Sequence, residues 1–295
     1  MRFRRFPAIT SVTAITAVLP VILVMITTLC KAHEAHEAEE FHPIVDMQRG
    51  YLIGGSGNGR WIKPQAMAPL LKGREKYRVF GFSKYLGVGT GSKPKSEGPP
   101  CTETSYIRVT GAGIGGKTGV LAMGGKWNAL PRVPRIASTT QPVYLKIVRD
   151  LLRRNGISNP TVRIEQIIRV DLNGDKTDEV LISASHYARA QKMPAGPMGR
   201  EALPTGAEAG DYSLLLLRKE TGGKVRTIVL DQEYYPKAKD FAAPSKSTVL
   251  SLLDLNGDGT LEIVVRSRYY EGDSTIVYHL AGDRAEEVLS SGCGA

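Results

Sequence analysis

Hydrophobic and polar residues alternate along much of the second half of the chain. Val162, Ile164, Ile168 and Val170 are interleaved with charged side chains, which is the pattern of a strand with one face in a core. Further apolar stretches follow, each bounded by Gly, Pro, Asn or Asp residues that favour turns. Together they predict strands at 162–170, 180–185, 212–218, 224–230, 248–253, 263–270, 276–280 and 285–289.

These strands fall into two groups with the same order: strand, acidic loop, strand, strand, turn, strand. The acidic loops cover residues 171–179 and 254–262 and start 83 residues apart. One unit used twice is typical of a repeat architecture. The sequence therefore predicts a mainly β fold with one or few helices, built from repeated four-stranded antiparallel units of propeller-blade type. Two units are too few for a complete propeller.

One helix is predicted between the two halves of the chain, within a connecting segment at 136–160. Pro142 suits a first helical turn, and Asn155 and Gly156 supply a left-handed stop. The apolar residues recur at helical spacing and form one face. They are Tyr144, Ile147, Val148, Leu151 and Leu152.

The first half of the chain is rich in Gly and Pro. Short β-like runs at 51–53, 77–82, 106–110 and 120–123 predict a β-rich region over 46–135. The pattern leaves open whether this region is a separate domain or part of the same β unit. Residues 33–45 are polar and predict a linker; it holds His33, His36 and His42, which we interpret as part of a solvated tether rather than a metal site.

The N-terminal segment 1–32 has the features of an export signal. Arg2, Arg4 and Arg5 precede a long apolar run, so the protein is expected to be periplasmic, secreted or on the cell surface. The length of the run leaves an uncleaved membrane anchor as an alternative. A lipid-modified Cys30 is a third interpretation, although Leu29 stands where the lipobox pattern has a small residue.

Charge argues against nucleic acid as a partner. The chain has 39 basic and 29 acidic residues; loss of residues 1–32 removes four basic residues and no acidic ones, which leaves 35 against 29. The charges are scattered and are not interleaved with aromatic residues. Cys101 and Cys293 remain after export, as a candidate disulfide or as two free thiols.

The acidic loops carry the clearest chemistry. In each, oxygen-bearing residues occupy positions 1, 3, 5, 7 and 9, a spacing that favours Ca²⁺ because this ion takes about 6–8 oxygen ligands. The EF-hand is excluded because position 12 of the second loop is Val265 and strands flank both loops. Two polar turns built on Asn-Gly are the alternative. The candidate metal ligands are Asp171, Asn173, Asp175, Thr177 and Glu179, and Asp254, Asn256, Asp258, Thr260 and Glu262.

The second loop resembles the calcium loops of FG-GAP and VCBS-type repeats. The residues that match are Asp254, Asn256, Asp258, Gly259 and Glu262, followed by the apolar residues 263–265. The resemblance implies bound Ca²⁺ with a structural role in a β-repeat protein, and the tail 269–295 is similar to the ends of bacterial exported proteins. The first loop matches less well, because Lys176 replaces the glycine of position 6.

A second motif points to a nucleotide. Residues 111–118 match the Walker A pattern, with Lys117 and Thr118 at its end. A P-loop needs a helix of several turns from that point, and Gly119, Gly124 and Pro131 oppose one. A P-loop nucleotide-binding protein is therefore a remote alternative.

The sequence as a whole predicts an exported calcium-binding β-repeat protein with a structural role or a protein or glycan ligand. Five tyrosines suit a ligand surface: Tyr187, Tyr234, Tyr235, Tyr269 and Tyr270. No catalytic residue is predicted, because His186 and His279 lie in no nucleophile motif. A secreted hydrolase with carboxylates that sequence does not reveal is the alternative, since their separation is set in three dimensions. A membrane is expected to be contacted only through the N-terminal segment.

Overall fold

The computed structural model describes residues 40–111, 120–194 and 202–294. Strands dominate these ranges, as the sequence predicts, and the described part contains two short 3₁₀ turns, at Ala68–Leu70 and Ala190–Lys192, and two α-helices, α1 (Pro64–Met67) and α2 (Pro142–Arg154). The strands of the first half are β1 (Phe41–Asp46), β2 (Leu52–Gly57), β3 (Arg60–Ile62), β4 (Lys76–Phe80), β5 (Tyr85–Gly91), β6 (Lys95–Ser96), β7 (Ser105–Tyr106), β8 (Val109–Thr110), β9 (Leu121–Met123) and β10 (Arg135–Ile136).

The second half contains two four-stranded meanders. Their strands are β11 (Ile164–Val170), β12 (Glu179–His186), β13 (Asp211–Thr221), β14 (Lys224–Tyr235), β15 (Lys246–Leu253), β16 (Glu262–Arg268), β17 (Asp273–Ala281) and β18 (Arg284–Cys293). Each predicted strand of the two units is present, and the acidic loops connect β11 to β12 and β15 to β16. The predicted mainly β, antiparallel fold class is confirmed.

The strands form three large antiparallel sheets and a two-stranded ribbon. The first sheet has seven strands in the order β3-β2-β1-β9-β4-β5-β8, and β6 pairs with β7. The first meander, extended by β10, makes a five-stranded sheet in the order β10-β11-β12-β13-β14. The second meander makes a four-stranded sheet in the order β15-β16-β17-β18.

The sheets pack face to face in layers. Helix α2 covers one face of the five-stranded sheet, the four-stranded sheet covers the other face, and the seven-stranded sheet covers the far side of the four-stranded one. Leu214 and Leu216 therefore point to the helix, while Leu215 and Leu217 point to the four-stranded sheet. Because both faces of the five-stranded sheet are covered, strand β13 carries apolar residues at consecutive positions.

Helix α2 agrees closely with its prediction. It starts at Pro142, and Tyr144, Val148 and Leu152 form its buried face. Gly156 adopts a φ of 89°, and the amide of Ile157 returns to the carbonyl of Leu152 at 3.0 Å. The left-handed glycine thus satisfies a carbonyl of the last turn and directs the chain back to the sheet.

The first half of the chain is part of the same body. Contacts group the chain from Phe41 onward into one compact unit. The linker predicted for 33–45 is wrong for residues 41–45, because they form most of β1, which pairs with β2 and β9. His42, assigned to the tether, packs edge-on against Trp127 with ring centroids 4.8 Å apart.

A disulfide closes the fold. Cys101 is bonded to Cys293, with Cα atoms 5.5 Å apart and a sequence separation of 192. The hydroxyl of Thr104 also donates a hydrogen bond to the carbonyl of Gly292. The bond attaches the loop between β6 and β7 to the last strand.

The N-terminal export segment, Cys30 and residues 33–39 lie outside the described residues. Within the ranges that are described, neither helix has the length and apolar character needed to cross a membrane.

Candidate metal centre

The second acidic loop is coiled around the carboxylate of Asp254. Its Oδ1 accepts the amide of Gly257 at 2.6 Å and its Oδ2 the amide of Gly259 at 3.0 Å. Asp258 accepts the amide of Thr260 at 2.7 Å. Gly257 and Gly259 adopt φ values of 84° and 88°, which glycine reaches without strain. The sequence Asp-x-x-Gly-x-Gly therefore dictates the curl of the loop.

Glu262 closes the loop from the first residue of β16. The side chain is fully buried, and its Oε2 accepts the amide of Leu255 at 2.6 Å. Its Oε1 lies 2.8 Å from Nδ1 of His279 on β17. Asp258, Glu262 and His279 offer ligand atoms that all lie within 4.8 Å of one another. The loop thus brings two of its predicted ligands together and adds a histidine that the sequence analysis set aside.

The first loop has the same hydrogen bonds at the same positions. Asp171 accepts the amides of Gly174 and Lys176 at 2.6 and 3.0 Å. Asp175 accepts the amide of Thr177 at 2.7 Å, and Glu179 accepts the amide of Leu172 at 2.8 Å. The two loops are therefore copies in conformation as well as in sequence.

The copies differ in their charged surroundings. Glu179 faces the ammonium of Lys219, whose Nζ lies 4.0 Å from Oε1, where Glu262 faces His279. Lys176 at position 6 adopts a φ of 72°, a left-handed conformation that costs a residue other than glycine about 1 kcal/mol. In the described part of the chain, the first loop does not form a cluster of three ligand atoms like that of the second.

The two loops lie side by side, which their separation in sequence does not reveal. The amide of Leu261 donates to the carbonyl of Leu172 at 2.8 Å. The Arg132 guanidinium spans both loops, because it donates to the carbonyls of Asp171, Leu172 and Gly259 at 2.6, 3.0 and 2.6 Å. One cation thus satisfies carbonyls from both loops.

The second loop is also held by the segment 127–132 that ends at Arg132. The indole of Trp127 donates to the carbonyl of Asp254 at 2.8 Å. The amide of Asp254 donates to the carbonyl of Ala129 at 2.9 Å. The amide and the carbonyl of Asp254 are therefore both held by a segment from outside the two meanders.

Burial makes the carboxyl groups of Glu262 and Asp254 poor anions without a cation. It raises the pKa of Glu262 to about 7, although the hydrogen bonds with His279 and Leu255 oppose the rise. Burial also raises the pKa of Asp254. The hydrogen bond that Nδ1 of His279 donates to Glu262 raises the pKa of His279. A cation placed among these groups would offset the cost of ionising them.

The other predicted residues play smaller parts. The side chain of Asn256 donates to Asp258 at 2.9 Å, and Asn173 to Asp175 at 2.8 Å, so each amide orients a carboxylate. Thr260 and Thr177 contribute backbone amides to the loops. His279 was detectable only from register, because Ile263 pairs with Tyr278 and the next pair along is Glu262 with His279.

The predicted tyrosines divide between core and cleft. Tyr187 is buried and its hydroxyl contacts Glu233 at 3.1 Å. Tyr269 and Tyr270 line a cleft of about 800 Å³, together with Tyr51 and Tyr106. An aromatic-lined cleft of that size suits a small ligand.

Most of the Walker A match, residues 112–118, lies outside the described residues. Strand β9 begins at Leu121 and joins an antiparallel sheet, three residues after Thr118. That spacing leaves no length for a helix of several turns, so the remote nucleotide alternative gains no support.

No protein-family model matches the chain, and neither the curated proteins nor the solved structures contain a significant match to it. The resemblance to FG-GAP and VCBS-type loops therefore rests on the loop residues alone.

Proposed function

We propose that this chain is an exported calcium-binding β-repeat protein in which the second acidic loop holds the ion. The observation that carries the proposal is the convergence of Asp258, the fully buried Glu262 and His279 within 4.8 Å. Asp254 lies in the same coil. Buried carboxylates without a permanent positive partner are costly, and a divalent cation would balance them.

The donor set supports calcium over other ions. Asp254, Asn256, Asp258 and Glu262 offer oxygen donors on an irregular loop, which suits the flexible coordination of Ca²⁺. His279 would act through Glu262, as an outer partner that orients a ligand. An ion such as Zn²⁺ would instead take the His279 nitrogen directly.

The role of the ion would be structural. The loop contacts the first loop, segment 127–132 and strand β17, so an ion there would brace elements from three parts of the chain. The Cys101–Cys293 disulfide supports an oxidising compartment and thus export. The tyrosine-lined cleft supports a binding role for a protein or glycan, and activity screens on glycans and peptides would separate that role from a hydrolase.

We expect calcium to raise the melting temperature of residues 33–295, and a chelator to remove the increase. At a free Ca²⁺ concentration about 100 times a Kd of roughly 10⁻⁴ M, binding stabilises the native state by about 2.7 kcal/mol. For a chain of this size that is a shift of roughly 5–10 °C. Differential scanning calorimetry with Ca²⁺ and with chelator measures it.

Two variants make this experiment specific. Asp258→Asn should abolish the calcium shift because it removes a ligand charge, whereas Asp150→Asn on helix α2 makes the same charge change and should retain the shift. Equal melting curves with Ca²⁺ and chelator would refute the proposal. If Zn²⁺ but not Ca²⁺ raised the melting temperature, and His279→Ala removed the increase, the site would hold a softer ion than calcium.

Calcium affinity should also fall as the pH drops below about 7. Burial raises the pKa of Glu262 to about 7 in the ion-free protein, so below that pH the carboxyl carries a proton that the ion must displace. The expected loss approaches about tenfold per pH unit. Titration calorimetry at about pH 6 and about pH 8 measures it; equal affinities would show that Glu262 is not a ligand.

A further inference from the structure

The two units place different basic residues at one equivalent position. Val180 pairs with Arg218 in the first unit, and Ile263 pairs with Tyr278 in the second. One step further along each pair of strands, Glu179 faces Lys219 and Glu262 faces His279. The residue opposite the position-9 glutamate is therefore a lysine in one copy and a histidine in the other.

Lys219 is buried beside the ligand groups of the first loop. Its side chain is 10% exposed and that of Glu179 is 2% exposed, with Nζ and Oε1 4.0 Å apart. The ammonium thus lies against the buried carboxylate of position 9.

We infer that Lys219 is the built-in cation of the first loop, which therefore binds no divalent ion, so that each chain takes one Ca²⁺, in the second loop. Only the part of the inference that concerns the second loop rests on the proposed function. The first loop then keeps the conformation that it shares with the second because the ammonium of Lys219, rather than a bound ion, balances the charge of its buried carboxylate.

Electrostatics makes the two occupants mutually exclusive. An ammonium beside Glu179 neutralises one carboxylate and repels an incoming ion of charge +2 twice as strongly as it would a monovalent one. A buried lysine paired with a glutamate also holds its position, because its departure would leave the buried Glu179 without a cationic partner. His279 carries no permanent charge and so imposes no fixed repulsion in the second loop.

Calcium stoichiometry tests the inference. Titration calorimetry on residues 33–295 should give one site in the natural protein. Lys219→Met keeps the apolar stem and removes the charge, and it should give two sites, the new one with a Kd of about 10⁻³ M or tighter. Lys224→Met, at an exposed lysine that begins β14, is the matched control and should retain one site.

Variants that also carry Asp258→Asn test whether the new site lies in the first loop. Asp258→Asn should bind no calcium, the double variant Asp258→Asn/Lys219→Met should bind one ion, and adding Asp175→Asn should remove it. If Lys219→Met lowers stability in chelator, calcium should restore its melting temperature by more than it raises that of the natural protein.

The outcomes separate the inference from the proposed function. Two sites in the natural protein would overturn the inference and leave calcium binding intact. No site in the natural protein, with one gained in Lys219→Met, would uphold the exclusion of an ion from the first loop by Lys219 and overturn the function of the second loop. A Lys219→Met protein that is folded but has no additional site would overturn the inference.

Discussion

Removing the Cys101–Cys293 disulfide should cost about 3–5 kcal/mol of unfolding free energy. The bond joins residues separated by 192 positions, and closing so long a loop removes much of the conformational freedom of the unfolded chain. Urea denaturation of the double variant Cys101→Ser/Cys293→Ser, compared with the natural protein, measures the loss. The denaturant slope should rise as well, because the unfolded chain becomes more extended.

Reduction provides an independent control for this experiment. The natural protein in reducing agent should lose the same free energy, and the double variant should not change. A loss of less than about 1 kcal/mol in both cases would mean that the reduced chain is already restrained by other contacts.

Replacing Arg266 with methionine should destabilise the fold by about 3–5 kcal/mol, because it leaves a buried charge without its partner. Asp46 on β1 is fully buried and pairs with the guanidinium of Arg266 on β16. The other oxygen of Asp46 accepts the amides of Gln48 and Arg49 at 2.8 and 3.2 Å. The pair joins the seven-stranded sheet to the four-stranded sheet.

A double variant shows whether charge is the cause. Asp46→Asn/Arg266→Met removes both charges and keeps an oxygen for the two amides, so its loss should be below about 2 kcal/mol. Equilibrium denaturation of both single variants and the double variant gives the coupling energy. If Arg266→Met lowered the free energy of unfolding by less than about 0.5 kcal/mol, water would be solvating Asp46 in the variant.

The local part of the fold was predictable from sequence. Hairpins form where the chain carries turn residues between apolar runs, as at Gly222-Gly223 and Gly282. Helix α2 ends close to where Asn155 and Gly156 predict it. Each of these features depends on neighbours within a few residues, so periodicity and turn chemistry suffice.

The sequence failed to predict the strand at residues 41–45 because that strand depends on pairing between distant parts of the chain. Residues 41–45 look like a polar linker because Phe41 is followed by His42 and Pro43. They form a strand because Ile44 pairs with Met123 and Val45 with Ala122, far along the sequence. No local pattern contains that partner.

The candidate site divides in the same way. The ligand pattern of each loop lies within nine residues, so the sequence predicts it. His279 follows from the register of one short hairpin, β16–β17. Lys219 does not, because the long connection between β12 and β13, residues 187–210, obscures the register of the two strands. Arg132 lies outside both meanders and is brought to the loops only by the packing of segment 127–132.

The disulfide also decides how the molecule would respond to mechanical force. Residues 102–292 lie inside a covalent ring, so a pull applied to the chain on either side of that ring is carried across the sulfur–sulfur bond. The two meanders and both acidic loops lie within the ring and bear no direct tension. Stretching would unravel strands β1–β5 first. The candidate metal loops would stay folded inside the ring until the disulfide is reduced.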